Sequence, residues 1–262
     1  MNIYHKGFDI YSGNNVDFTE KKKEGYEFVI IRAGYGELAS QKDKKLEENI
    51  EKAKENDFLI CFYWFSYARD SKNAKEEAKV FNDIIKKYKS STTSYVFIDF
   101  EYDSENFNKK TYGITYDKSL RTEIIRTFCE EMKKYGWICG YYTNLDYIRN
   151  KLNYEQLSKY PLWLAHYTEN GKLTDTEEKY NAKFMQHGVT DLDYDYSFIP
   201  LRSESINVGD EVNVNGRLYG SSYAEYPGKM YKGKAIILNY IKGRKAPYLI
   251  RYGWVTIDSV NK

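Results

Sequence analysis

The 262-residue sequence predicts an α/β chain: an irregular (β/α) TIM-like barrel with some reduced helices, followed by a small all-β module. Three observations carry this reading. Short β-branched and aromatic runs alternate with stretches whose apolar residues recur at helical spacing, the pattern of a parallel sheet. About seven such strands fall within roughly the first 200 residues, which suits a closed barrel better than an open sheet. Past residue 205 the helical rhythm stops, and short alternating runs divided by Gly and Pro replace it.

Ile3 to Ile10 forms the first expected strand and carries Asp9; the Ser12-Gly13-Asn14-Asn15 turn then leads into a short helical piece from Phe18. Phe28 to Ala33 is the second strand. Asp43 is the expected N-cap of a helix reaching Asn56, with Leu46, Ile50 and Ala53 on one stripe. Phe58 to Phe65 is a third strand, and Ala74, Ala78, Phe81, Ile85 and Tyr88 mark a second helix. Tyr95-Val-Phe-Ile98 is the fourth strand, ending in Asp99 and Glu101. Asp103 to Asp117 reads as a long polar loop before the helical stripe Leu120, Ile124, Phe128 and Met132. Trp137 to Tyr142, Pro161 to Ala165 and Ala182 to Gln186 complete the strands, with short helical turns at Leu145–Asn150 and Tyr154–Tyr160. These later helices are poor, so fewer than eight full ones are expected. Glu211–Asn215, Ala235–Leu238, Tyr248–Arg251 and Trp254–Ile257 form the β module beyond a short linker at Ile199–Ser205, giving domains 1–201 and 204–262.

With 40 basic and 38 acidic residues the net charge is +2, which argues against duplex nucleic acid as a partner. The 28 Tyr, 13 Phe and 4 Trp are the anomaly, because aromatic faces both pack cores and stack on sugars or bases. Cys61, Cys129 and Cys139 sit in apolar contexts without metal-ligand spacing and read as reduced core residues. His5, His166 and His187 are too dispersed for a metal set, so neither metal nor cofactor is expected. The start lacks a basic segment followed by an apolar run, and no apolar span nears 20 residues, so a soluble chain made without a signal peptide in a cytoplasm is expected.

Residues two apart on a strand share a face, with Cα atoms about 6.5–7 Å apart, so Asp99 and Glu101 emerge together where the apolar run stops. Solvated acids in a turn would look the same. In a (β/α) barrel, however, chemistry sits at the C-terminal strand ends. Asp9, Arg32, Tyr63, Phe65, Tyr142, Asn144, Trp163 and Tyr167 stand at such ends, and Asp191, Asp193 and Asp195 follow the last strand. A rim of acids and aromatics, without a phosphate-cradling loop or a nucleophile elbow, suits glycoside hydrolysis. Burial beside Phe100 and Tyr102, with Asp99 and Asp9 near, would raise the Glu101 pKa and favour a proton donor.

Gly7-Phe-Asp-Ile-Tyr-Ser12, Val29-Ile-Ile-Arg-Ala33, Ile98-Asp-Phe-Glu101, Tyr142-Thr-Asn144, Pro161-Leu-Trp-Leu-Ala-His-Tyr167, Met185-Gln-His187 and Leu192-Asp-Tyr-Asp-Tyr196 together resemble glycoside hydrolase family 25, the N-acetylmuramidase lysozymes common among phage endolysins. The resemblance covers about residues 3–200 in order. It implies a peptidoglycan hydrolase that cuts the β-1,4 bond between N-acetylmuramic acid and N-acetylglucosamine. It further implies Glu101 as general acid/base, Asp99 as the residue assisting the substrate 2-acetamido group, and Asp9 with a late Asp as further site acids. Met185 replaces the family's Trp and the following segment is short; Asp193 fits best, with Asp195 in the family's Asn place, and Asp191 is the alternative. Arg32, Tyr63, Phe65, Tyr142, Asn144, Trp163 and Gln186 are the expected substrate contacts. The C-terminal stretch is similar to bacterial SH3-like cell-wall-binding domains, which implies wall polymer or peptide as its partner and Tyr219, Tyr223 and Trp254 as contacts, with Tyr226 and Tyr248 further candidates. The protein would act on the wall after release from the host. Rival readings are a chitinase-like barrel glycosidase and an inactive wall-binding protein.

Overall fold

The computed structural model describes all residues except 189–191, 202–205, 207, 242, 243, 257, 258 and 262. It separates into two compact units, Met1–Leu201 and Arg202–Lys262. In the first, eight strands close a barrel in chain order: β1 (His5–Ile10), β2 (Phe28–Tyr35), β3 (Leu59–Phe65), β4 (Tyr95–Asp99), β5 (Ile138–Asn144), β6 (Leu162–Ala165), β7 (Phe184–His187) and β8 (Asp193–Ser197). The first seven run parallel, and β8 closes the barrel antiparallel to both β7 and β1.

The expected strand rhythm stops one short of this. Asp193 and Asp195 do not follow the last strand; they lie within it, and β8 is antiparallel where a parallel sheet was expected.

Between strands stand α1 (Phe18–Lys23), α2 (Leu46–Glu55), α3 (Ser71–Ile85), α4 (Tyr102–Tyr112), α5 (Lys118–Lys134), α6 (Tyr154–Leu157) and α7 (Asp175–Lys179). Helix α4 occupies the expected loop of residues 103–117. Its inward positions are the buried Ser104 and Asn108, spaced i, i+4, so the helical face is real but polar; Gly113 ends it in the left-handed region at φ 70°. Asp43 is not an N-cap either, because α2 begins at Leu46 with Lys45 in the cap position. Its carboxylate instead pairs with Arg32 Nε at 2.8 Å and accepts the N–H groups of Ser12 and Lys45 at 3.1 and 3.0 Å.

Two apolar layers hold the barrel. The outer one packs Phe62, Trp64, Ile98 and Tyr141 against helix residues such as Phe81 and Phe128. The inner one fills the lumen with Phe28, Phe97, Phe184 and Trp163. Gly7 and Gly140 make room for it: a Cβ at Gly7 would lie 2.5 Å from the Phe28 ring, and one at Gly140 would lie 2.9 Å from Phe97.

In the second unit, β9 (Glu211–Tyr219), β10 (Pro227–Ile236), β11 (Asn239–Tyr240), β12 (Tyr248–Ile250), β13 (Gly253–Val255) and β14 (Val260–Asn261) form an antiparallel sheet around Val212, Val214, Ile237, Tyr248, Ile250 and Val255. Among the described residues, no helix is long and apolar enough to cross a membrane.

Candidate active site

Strand register places the site. Phe65, Asp99, Tyr142 and Trp163 lie side by side across β3, β4, β5 and β6, while Asp9 faces Asp193 across β1 and β8. Their side chains enter one cavity of about 570 Å³ at the C-terminal ends of the parallel strands. Of the expected residues, Asp9, Arg32, Tyr63, Phe65, Asp99, Glu101, Tyr142, Trp163, Tyr167, Gln186 and Asp193 line it. Asn144 does not. Its Oδ1 accepts the Tyr147 N–H at 3.1 Å, at the start of the π-turn Tyr147–Lys151. Asp191 lies outside the described residues.

The floor is aromatic. Trp163 is fully buried, with its ring centroid 4.8 Å from Tyr142, 5.3 Å from Phe97 and 5.8 Å from Tyr63. Its Nε1–H donates to Asp195 Oδ1 at 2.7 Å. Asp195 is itself fully buried; burial and then the Asp9 charge push its pKa well up, and among the described residues its Oδ2 has no hydrogen-bond partner. Asp9 Oδ2 receives Gln186 Nε2–H at 2.8 Å.

Asp9, Asp99, Glu101, Asp193 and Asp195 are all shifted upward. Burial, with the Asp193 charge adding to it, brings Asp9 to about 7. Asp99, only 7% exposed, is raised well above its ordinary value by burial and then by Glu101 and Asp9. Among the described residues its Oδ1 has no hydrogen-bond partner, which leaves it to meet a donor on a ligand. Glu101 stands at the N-cap of α4, where its own N–H donates to Ser104 Oγ at 3.2 Å. That position favours a carboxylate. Burial nevertheless dominates, and with Asp103 and Asp193 it raises Glu101 to about 6. Burial raises Asp193 as well. Such a cluster can keep at least one acid protonated near neutrality beside acids that can ionise, which is what acid/base cleavage of an acetal requires.

Four lining residues escaped the sequence reading: Tyr11, Tyr35, Tyr67 and Asp103. Each lies within two residues of a strand end, or two beyond Glu101, so reading one step further along each loop would have found them. Arg32 links two of them, with its guanidinium 4.5 Å from the Tyr11 centroid and 5.8 Å from Tyr35. His187 stacks on Tyr196 at 4.2 Å and does not line the cavity. Cys61, Cys129 and Cys139 are buried free thiols. Among the described residues, no group of three or more His, Cys, Asp or Glu is placed to hold a metal ion.

In the second unit, Tyr219 and Trp254 face each other across β9 and β13, both half-buried. Tyr223 is exposed beneath the Arg244 guanidinium, 3.9 Å from its centroid, and Tyr226 is exposed too. Tyr248 is core.

Comparison with solved structures returns the same barrel. The CTP1L endolysin matches at 24% identity and TM-score 0.56, over 75% of this chain and 66% of that one. The modular autolysin LytC from Streptococcus pneumoniae, in complex with a synthetic peptidoglycan ligand, matches at 22% and 0.60, over 74% and 46%. A family GH25 lysozyme from Aspergillus fumigatus matches at 24% and 0.56, over 75% and 95%. At these identities the likeness is one of fold, and the chain spans about half to two thirds of the length of the first two. No curated protein matches the chain in sequence. The sequence profile of glycosyl hydrolases family 25 matches residues 8–191, well over half of the chain. The chain therefore belongs to glycosyl hydrolases family 25 and is a glycoside hydrolase.

Proposed function

We propose that this enzyme is a peptidoglycan hydrolase of the N-acetylmuramidase type, cleaving the β-1,4 bond between N-acetylmuramic acid and N-acetylglucosamine. The observation that carries the reading is the pair Asp99 and Glu101 at the end of β4, opening into a cavity walled by aromatic rings. Family membership supports it, as do relatives described as an endolysin and as an autolysin bound to a peptidoglycan ligand.

Glu101 donates its proton to the glycosidic oxygen as the C1–O bond breaks. The 2-acetamido carbonyl oxygen bonds to C1 from the opposite face, forming an oxazolinium. Asp99 accepts the acetamide N–H on its unpartnered Oδ1 and stabilises the positive charge as a carboxylate. Its raised pKa means that a proton leaves Asp99 for solvent before this step; the N–H bond and the developing cation both favour that loss. The Glu101 carboxylate then deprotonates a water that attacks C1 as the bond from C1 to the acetamide oxygen breaks, which regenerates the 2-acetamido group and restores the original anomeric configuration. Asp9 and Asp193 set the charge of the pocket, and Trp163, Tyr63, Phe65 and Tyr142 give its sugar-stacking walls.

The second unit is proposed to be an SH3-like wall-binding domain using Tyr219, Tyr223 and Trp254. By tethering the barrel to an insoluble substrate it would raise the local enzyme concentration. Removal of residues 204–262 then weakens wall sedimentation while turnover of soluble fragments persists. Digestion of purified peptidoglycan beside chitin tests the main reading: release of soluble fragments from peptidoglycan is expected, and preference for chitin would replace it with a chitinase-like activity.

A further inference from the structure

A second cavity, of about 240 Å³, adjoins the first. Tyr35 and Tyr67 line both. From there the aromatic wall continues outward: Tyr35 meets Tyr67 at 6.2 Å, Tyr67 meets Phe107 at 4.6 Å, and Phe107 meets Tyr112 at 6.3 Å. Phe107 and Tyr112 are 44% and 51% exposed, although large rings on a helix usually turn inward. The inward face of that helix is given instead to Asn108.

Asn108 is completely buried and contributes to the same cavity. Its Nδ2 donates to the Tyr67 carbonyl at 2.9 Å, which fixes the amide's orientation, and among the described residues its Oδ1 is left without a partner. A buried acceptor with no donor costs free energy unless something supplies one. The formal charges in the cavity are already committed: Arg69 pairs with Glu37 at 2.9 Å and lies 4.7 Å from the Tyr112 centroid. Burial pushes Glu77 up to about 8, which leaves it uncharged at neutral pH. What the cavity offers a ligand is therefore ring faces and, among the described residues, two buried polar atoms left unpartnered, Asn108 Oδ1 and Glu77 Oε2. A stem peptide with free carboxylates and amines would find no unpaired counter-charge there, whereas an uncharged pyranose presents a C–H face for stacking and a hydroxyl or acetamido N–H for Asn108.

We propose that this second cavity is an additional sugar subsite, which holds an N-acetylated sugar of the same glycan strand beyond those at Asp99 and Glu101 as the strand passes over Tyr35 and Tyr67. The proposal rests on the peptidoglycan reading of the main cavity.

The test is calorimetric titration of the full chain carrying Glu101→Gln with peptide-free glycan fragments of two, four and six sugars. Affinity is expected to rise by about tenfold at the length that first reaches past the main cavity. Phe107→Ala and Tyr112→Ala, both at exposed positions, should each remove most of that rise and leave binding of the two-sugar fragment unchanged. A rise that persists in both variants, or that requires attached stem peptides, overturns the subsite while the main reading stands. Failure of every fragment to bind, together with failure of the wild-type chain to cut them, overturns both.

Discussion

Gln186 directs its amide N–H at Asp9, 2.8 Å away, because its Oε1 is held by two tyrosine hydroxyls, Tyr142 at 2.8 Å and Tyr167 at 2.6 Å. With the oxygen so fixed, the nitrogen can only face the carboxylate. The contact keeps Asp9 from rising further than it does under burial and the Asp193 charge. Gln186→Glu is expected to lose the donor and set a like charge against Asp9, lowering kcat/KM by tenfold or more, on the order of 1.4 kcal/mol of transition-state stabilisation. Tyr142→Phe leaves the amide one of its two anchors and should cost less. Steady-state kinetics on soluble wall fragments compare the two, and wild-type rates in Gln186→Glu would remove this contact from the mechanism.

Protonation of Glu101 sets an alkaline limit on activity. Its pKa of about 6 is raised first by burial, then by Asp103 and Asp193, so kcat/KM should decline as pH rises through the range in which the coupled acids lose their protons. Asp103→Asn takes away a negative neighbour, lowers the Glu101 pKa, and moves that alkaline limb down by a few tenths of a unit. Asp103 is exposed, so the shift should shrink at high salt. An alkaline limb that stays in place in Asp103→Asn at low salt counts against Glu101 as the titrating acid.

Asp43 ties three segments together under the rim: Arg32 on β2, Ser12 after β1 and Lys45 ahead of α2. Its side chain is 1% exposed, so losing it strands the Arg32 charge and two N–H groups. Asp43→Ala should destabilise the barrel by about 3 kcal/mol or more. Urea unfolding reports this, and a loss below about 1 kcal/mol would mean that water replaces the carboxylate at little cost.

Glu77 gives the fold a pH dependence apart from the cavity acids. Its pKa is about 8 in the folded chain against an ordinary 4.5, because burial disfavours the charge. Between those values the folded chain keeps a proton that the unfolded chain has released. Stability therefore falls as pH rises from about 4.5 to about 8. Glu77→Gln keeps the oxygen that receives the Tyr67 N–H at 2.9 Å and removes the ionisation. Thermal unfolding from pH 5 to pH 9 should show a smaller decline in the variant, by up to a few kcal/mol. Parallel profiles for the two proteins would place the pH sensitivity elsewhere.

How far these features could be read in the sequence depended on where each residue's partners lie. Strand β4 announced itself because Val96, Phe97 and Ile98 are apolar on both faces, as a parallel strand covered on each side must be. Helix α4 did not, since the positions it buries, Ser104 and Asn108, are polar and satisfy neighbouring loops rather than a core. Strand β8 was hidden for a related reason: Asp193 and Asp195 point inward on an Asp-Tyr-Asp-Tyr run, reversing the usual burial of apolar over charged side chains. Trp163 on β6 offsets part of that cost by donating its Nε1–H to the Asp195 carboxyl. Asp43 was misassigned as a cap because its helix lies next in sequence, while its stronger partner, Arg32, lies on a neighbouring strand. Local pattern thus carried the fold, and long-range polar pairing built the site.

The most direct measurement identifies the sugar at the new reducing ends. Wall fragments released by the wild-type chain from purified peptidoglycan are reduced with borohydride and analysed by mass spectrometry, with Glu101→Gln as the control. The account predicts reduced N-acetylmuramic acid at the cut ends and almost no release by the variant; reduced N-acetylglucosamine, or undiminished release by Glu101→Gln, would contradict it.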